Sequence, residues 1–251
     1  MASLGAHACD RAPAPAATPP PPVSREAAAA PVLWFICDAI DAPAVLVVRK
    51  DARGRALIEE YDKQRSAQAP AQEFELGASE GAAGSVYTAL MRDGAQVGFV
   101  RALNPGVLET PAAAYTTPYT SLGIGDRRIA CRWMARTRLI GFTARRSFAV
   151  TEDADGDLIY TTFNFDDAGS QRAIDLSDSQ RSTTFSLEVR GGEEKTTPEA
   201  SDFRFMARGY AYLVHAPKAG APTLSVLHNG ALVQTEPILA VQTGAGGEPA
   251  P

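Results

Sequence analysis

Residues 146–165 read RSFAVTEDADGDLIYTTFNF. Two runs rich in β-branched and aromatic residues, 147–151 and 158–165, flank the acidic string Asp153-Ala154-Asp155-Gly156-Asp157. Such runs prefer the pleated backbone, and an Asp-Gly pair supplies the positive φ angles of a type I′ hairpin turn. The same grammar recurs along the chain. Strand-like runs stand at 45–49, 86–91, 97–101, 184–190, 203–206, 210–215, 224–227 and 231–235. Asp93-Gly94 and Asn229-Gly230 separate some of them, and Arg53-Gly54 and Gly191-Gly192 are read as further turns. Short strands at this spacing, joined by tight turns, predict an all-β fold, an antiparallel sandwich or barrel.

One stretch is ambiguous. Residues 56–65 place Leu57 and Tyr61 on one helical face with Glu59 and Lys63 as an i,i+4 pair, so local propensity favours a helix. An internal parallel favours a strand instead. Residues 48–58 run alongside 150–159 with one residue of slip, and residues 90–97 run alongside 226–233. Each half also opens with a single cysteine, Cys37 or Cys131. The expectation is two similar β-units, 31–110 and 111–242, or one continuous β-domain spanning both. A disordered Ala/Pro-rich leader, residues 1–30, precedes them, and a disordered tail, residues 243–251, follows.

Within the leader, Ala6-His7-Ala8 before Cys9 has the small-x-small form that signal peptidases read, with Cys9 placed to carry a lipid anchor. The export signal would then lie upstream of Met1. This reading predicts a periplasmic or outer-membrane-anchored protein; without export the chain is cytoplasmic. No run approaches the about 20 apolar residues of a membrane-spanning helix, so no transmembrane segment is expected.

The formal net charge is −5, from 24 basic and 29 acidic side chains. That balance argues against a general nucleic-acid binder, whose surface is ordinarily basic. Outside the leader the histidines are His215 and His228, near enough in sequence for a short hairpin to bring them to one edge. The sequence contains no Gly-x-Ser-x-Gly elbow, P-loop, dinucleotide fingerprint or His-Glu-x-x-His. No catalytic residue is nominated, and no cofactor other than calcium is considered. Cys37 and Cys131 sit in apolar, strand-like surroundings and admit three readings: inert core thiols, a long-range disulfide, or a nucleophile, the last disfavoured by the lack of a neighbouring histidine.

Two clusters carry chemistry. Asp153, Asp155 and Asp157 alternate as oxygen ligands do in calcium loops, although the glycine comes early and the twelfth position is Asn164. The competing reading is an acidic hairpin turn. The second cluster is basic: between Arg127 and Arg146 there are seven arginines and no acid. As a strand, this segment puts Arg128, Arg132, Arg136 and Arg138 on one face and Ile129, Cys131, Trp133 and Leu139 on the other. Such a face would grip an anionic ligand, or else be neutralised by acids of adjacent strands.

Gly84-Ser85-Val86-Tyr87 followed by Arg92-Asp93-Gly94 resembles the aromatic strand and turn of small periplasmic lysozyme inhibitors. That resemblance implies a β-protein that binds a protein partner; no inhibitory residue is carried across. Two functions are weighed. The first is a non-enzymatic binding protein of the bacterial cell envelope, of the inhibitor or immunity kind, or one that binds an anionic envelope ligand. The second is a hydrolase acting on envelope material, which would need a carboxylate-lined cleft.

Overall fold

The computed structural model describes residues 30–108, 110–166 and 185–244. Residues 1–29 of the leader, with Cys9, and residues 245–251 of the tail lie outside them. The described residues form two antiparallel sheets. The first contains β1 (Val32–Asp38), β2 (Ala44–Lys50), β3 (Arg55–Asp62), β4 (Ala67–Gln68), β5 (Gln72–Ala82), β6 (Ser85–Arg92), β7 (Ala95–Leu103), β8 (Tyr119–Ile124) and β9 (Arg127–Ala130). Its strands follow one another around the sheet in sequence order, with the short β4 attached to β3. Just beyond β1 and β9 the two ends meet: Ala39 bridges Cys131, Ile40 N–H donates to Ala130 O at 3.0 Å, and Arg132 N–H donates to Asp38 O at 2.8 Å. A Cys37–Cys131 disulfide fastens this seam. Of the three readings of the cysteines, the structure selects the long-range bridge.

The second sheet is a closed barrel of β10 (Thr137–Thr143), β11 (Arg146–Glu152), β12 (Leu158–Asn164), β13 (Leu187–Thr196), β14 (Ala200–Ala207), β15 (Tyr210–Pro217), β16 (Thr223–His228) and β17 (Ala231–Thr243). Inward side chains fill each barrel, as expected for about eight strands. Phe35, Leu46, Ile58, Phe74 and Leu122 pack the first; Leu139, Phe148, Tyr160, Phe205 and Leu224 pack the second. Any ligand must therefore bind outside these interiors.

Strand β2 reads AVLVVRK because both of its faces are covered. Leu46 and Val48 point into the first barrel, while Val45 and Val47 join Ile36 and Tyr61 in a third cluster with Phe142, Phe165 and Ala240 of the second unit. Each such apolar side chain, fully buried, contributes about 1.5–3 kcal/mol. The two barrels thus share an apolar seam.

The internal repeat is visible in three dimensions. Asp51 Oδ1 accepts from the N–H groups of Arg53 and Arg55, both at 2.9 Å. Asp153 Oδ1 accepts likewise from Asp155 and Asp157, at 3.0 and 2.9 Å. At the sequence interval that separates those two aspartates, Cys37 matches Leu139, Leu46 matches Phe148, Val48 matches Val150, Ala56 matches Leu158 and Ile58 matches Tyr160, core positions all. No slip is needed. The second parallel does not hold: β6–β7 corresponds by strand order to β14–β15, whereas 226–233 spans β16–β17. Turn chemistry alone made those two segments alike.

Several local expectations change. Residues 55–62 form a strand whose Glu59 pairs with Arg49 across the ladder, because alternation buries Ala56 and Ile58. Asp93-Gly94 and Asn229-Gly230 have both φ angles positive and join β6–β7 and β16–β17. Asp155-Gly156 joins β11 and β12, but only its glycine has positive φ, since the Asp153 carboxylate organises a longer turn. Gly191-Gly192 is no turn. It lies inside β13, where Gly191 takes φ 76° at a register shift and the strand passes from pairing with β12 to pairing with β14. A Cβ on Gly192 would meet the Phe205 ring at 2.1 Å, so the bend needs glycine. The first sheet also extends beyond residue 110. The Pro-rich stretch there forms two short 3-10 turns, Pro105–Val107 and Pro111–Ala113, before β8 returns to pair with β7. The chain passes between sheets at residues 131–136. No helix among the described residues is long and apolar enough to cross a membrane.

Candidate binding site

The basic segment is not one strand. Strand β9 stops at Ala130, Arg136 turns the chain with φ 54° while its N–H donates to Ala113 O, and β10 starts at Thr137. That left-handed residue breaks the alternation on which a shared basic face depended. Ile129 and Cys131 enter the first core, and Leu139 enters the second. Trp133 is half-buried between them, its indole N–H shared by the carbonyl and hydroxyl oxygens of Thr116 at 3.2 and 3.1 Å.

The four arginines diverge accordingly. Arg136 faces Glu152 at 3.6 Å and donates to Asp153 O. Arg138 pairs with Glu194 at 2.7 Å and Glu152 at 3.8 Å. Arg132 is drawn into the junction of the barrels. Its Nε donates to Asp38 Oδ2 at 2.9 Å, and its guanidinium lies over the Phe163 ring at 3.6 Å. Arg128 alone of the four is exposed and has no carboxylate partner among the described residues.

Asp38 organises the junction. Its carboxylate is 1% exposed and receives Lys63 Nζ at 2.6 Å, Arg132 Nε, and the Ser147 hydroxyl at 2.7 Å. Burial alone would raise its pKa; the charges of Lys63 and Arg132, with hydrogen bonds from Lys63 and Ser147, outweigh that and hold it at about 2. Asp38 and Lys63 belong to the first unit, Ser147 to the second, and Arg132 to the connection. The cluster is a structural clasp around a buried carboxylate, and its Arg132 also lines the neighbouring cleft.

Beside it opens a cleft of about 850 Å³ between the outer faces of the two units. One wall comes from β6–β9 and presents Tyr87, Phe99, Arg101 and Arg128; the other comes from β11–β13 and presents Thr151, Ile159, Thr161 and Phe163. Strand register builds the first wall. Tyr87 lies opposite Arg101, which lies opposite Ser121; Phe99 lies opposite Gly123, which lies opposite Arg128. Gly123 leaves room for the Phe99 ring to lie over the backbone, since a Cβ there would be 2.5 Å from it. The ring meets Tyr87 edge-on at 5.6 Å and the Arg128 guanidinium at 5.3 Å. Arg101 donates to Ser85 Oγ at 3.0 Å and Thr120 Oγ1 at 3.4 Å, again without a carboxylate partner among the described residues. The cleft's own carboxylates are engaged elsewhere: Asp41 accepts the Ala130 N–H, and Glu188 pairs with Arg190 at 2.9 Å.

Sequence reasoning reached Arg128 and missed Tyr87, Phe99 and Arg101. The available signal was alternation, which sets Phe99 and Arg101 on the face opposite buried Val100.

Asp153, Asp155 and Asp157, read as calcium ligands, lie in the connection between β11 and β12. Asp153 turns its carboxylate onto its own loop, and no group of three acidic, His or Cys side chains converges as a metal site among the described residues. His215 and His228 do not meet either. On β15–β16, His215 lies opposite Thr223 and Tyr210 lies opposite His228, so the imidazoles occupy opposite ends. His215 bonds to Asp202 at 2.6 Å, and His228 stacks on Tyr210 at 4.4 Å. No protein-family model matches the chain, and no curated protein matches it. The segment from Gly84 to Gly94 belongs to two hairpins, β5–β6 and β6–β7, whose turns have both φ angles positive.

Proposed function

We propose that this chain is a non-enzymatic binding protein of the bacterial cell envelope, and that the cleft between its barrels captures an anionic ligand. The observation that carries this reading is the pair Arg101 and Arg128. Both guanidinium groups face a concave site without carboxylate partners among the described residues, while Arg132 behind them is neutralised by Asp38. A cleft of this volume is in the range used for small and oligomeric ligands. The hydrolase alternative gains no specific support, since Asp41 and Glu188 are each engaged by other protein groups and no histidine among the described residues lines the cleft. The envelope location draws on the Cys37–Cys131 bridge, which suits an oxidising compartment, together with the Cys9 context.

The test is retention of the full chain on immobilised dextran sulfate at low salt. A chain of net charge −5 is held by a polyanion only through a local basic site. The parent should be retained, and the Arg101→Ala/Arg128→Ala double variant should elute early with an unchanged melting curve. Equal elution of the two proteins contradicts the reading.

A further inference from the structure

Resting on that reading, we infer that the ligand is an acidic oligosaccharide lying along the cleft, with a sugar ring against Phe99 and Tyr87 and acidic groups at Arg101 and Arg128.

Three features select a sugar among anions. First, the two cations are separated. Arg101 and Arg128 stand two strands apart and two residues out of step, so strand spacing puts their Cα atoms about 12 Å apart. Acidic groups on non-adjacent residues of a glycan match a site that extends from β7 to β9. Second, aromatic faces lie beside the cations. Phe99 lies against Arg128, and Tyr87 lies against Phe99 with Arg101 at 6.0 Å. Sugar rings present C–H faces that pack on such surfaces while their hydroxyls stay polar. Third, hydroxyl side chains line the same space, Ser121 on one wall and Thr151 and Thr161 on the other. Each donates and accepts, which matches a polyol.

An acidic peptide is the main competing polyanion, and the walls disfavour it. Peptides bind sheets by adding a strand to an open edge. Here β7, β8 and β9 offer their face to the cleft, and β8 is paired on both sides. Similarly β12 is paired with β11 and β13. The backbone hydrogen-bonding groups of these walls are largely committed to their own ladders.

The experiment is calorimetric titration of the full chain at low ionic strength with a tetragalacturonate, a heparin tetrasaccharide, methyl-esterified tetragalacturonate and a short poly-glutamate. At least one acidic sugar should bind. Esterification or Arg128→Ala should weaken binding by about tenfold or more, the loss expected when a charge-assisted hydrogen bond is removed. Phe99→Leu, checked for an unchanged melting curve, should weaken the sugar severalfold and leave poly-glutamate unaffected. Poly-glutamate binding as tightly as the sugars, with no dependence on Phe99, overturns the sugar assignment and leaves the anionic cleft standing. If no acidic sugar binds, the inference falls. If a sugar binds independently of both arginines, the cleft reading falls with it.

Discussion

Asp38, at the end of β1, accepts a hydrogen bond from the Ser147 hydroxyl of β11 at 2.7 Å, across 109 residues of chain. One buried carboxylate therefore ties the first barrel to the second and holds Arg132 of the connection between them. Asp38→Asn should leave Lys63 and Arg132 as uncompensated charges in the junction and cost about 3–5 kcal/mol. Arg132→Ala should also be costly, because its partner is buried rather than solvated. Denaturant unfolding checks both, and a parent-like midpoint for Asp38→Asn would contradict the clasp.

The same group sets an acid limit. Its folded pKa of about 2 lies below the unfolded carboxylate value, so its stabilisation is complete above about pH 4 and is lost as pH falls toward 2. Its contribution is about 2 kcal/mol. Stability measured between pH 5 and pH 2 should fall more steeply for the parent than for Asp38→Asn. Parallel curves would show that Asp38 does not titrate as the geometry requires.

The disulfide closes a seam that otherwise rests on one bridge and a few backbone bonds. At a sequence separation of 94, loop-closure entropy gives a stabilisation of about 4–5 kcal/mol. The Cys37→Ala/Cys131→Ala variant should therefore melt well below the parent. Thiol titration of the unfolded protein, with and without reductant, should count this pair as oxidised. Three free thiols in the full chain, Cys9 included, would contradict the seam.

Gly123 tests the aromatic wall without touching charge. Its φ is ordinary, so alanine adds only a Cβ beneath the half-exposed Phe99 ring, which must move. Gly123→Ala should change stability by no more than about 1 kcal/mol, since the ring can swing into the cleft. Binding of an acidic sugar should nevertheless weaken severalfold. Unchanged affinity would show that the position of Phe99 is immaterial.

The strands and hairpins were legible because they depend on neighbours in sequence. Asp93-Gly94 and Asn229-Gly230 announce their turns, and the Asp51 and Asp153 turns announce the repeat. The turns at Ala83-Gly84 and Arg208-Gly209 were harder to see, since Ala83 and Arg208 adopt positive φ without the usual chemistry. Long-range pairing was not legible. Arg132 looks like Arg128 in the sequence, yet Asp38 and Phe163, both distant in the chain, bury one while the other stays exposed. The cleft was hidden for the same reason: its walls come from both barrels and become neighbours only when the seam forms.

The most direct test of the anionic cleft is a map of backbone amide chemical-shift changes as the full chain is titrated with a heparin tetrasaccharide. The account predicts saturable changes concentrated at Phe99, Arg101 and Arg128 on one wall and Thr161 and Phe163 on the other, abolished in Arg101→Ala/Arg128→Ala. Changes concentrated instead on the outer face of β14–β16, or unaltered in the double variant, would contradict it.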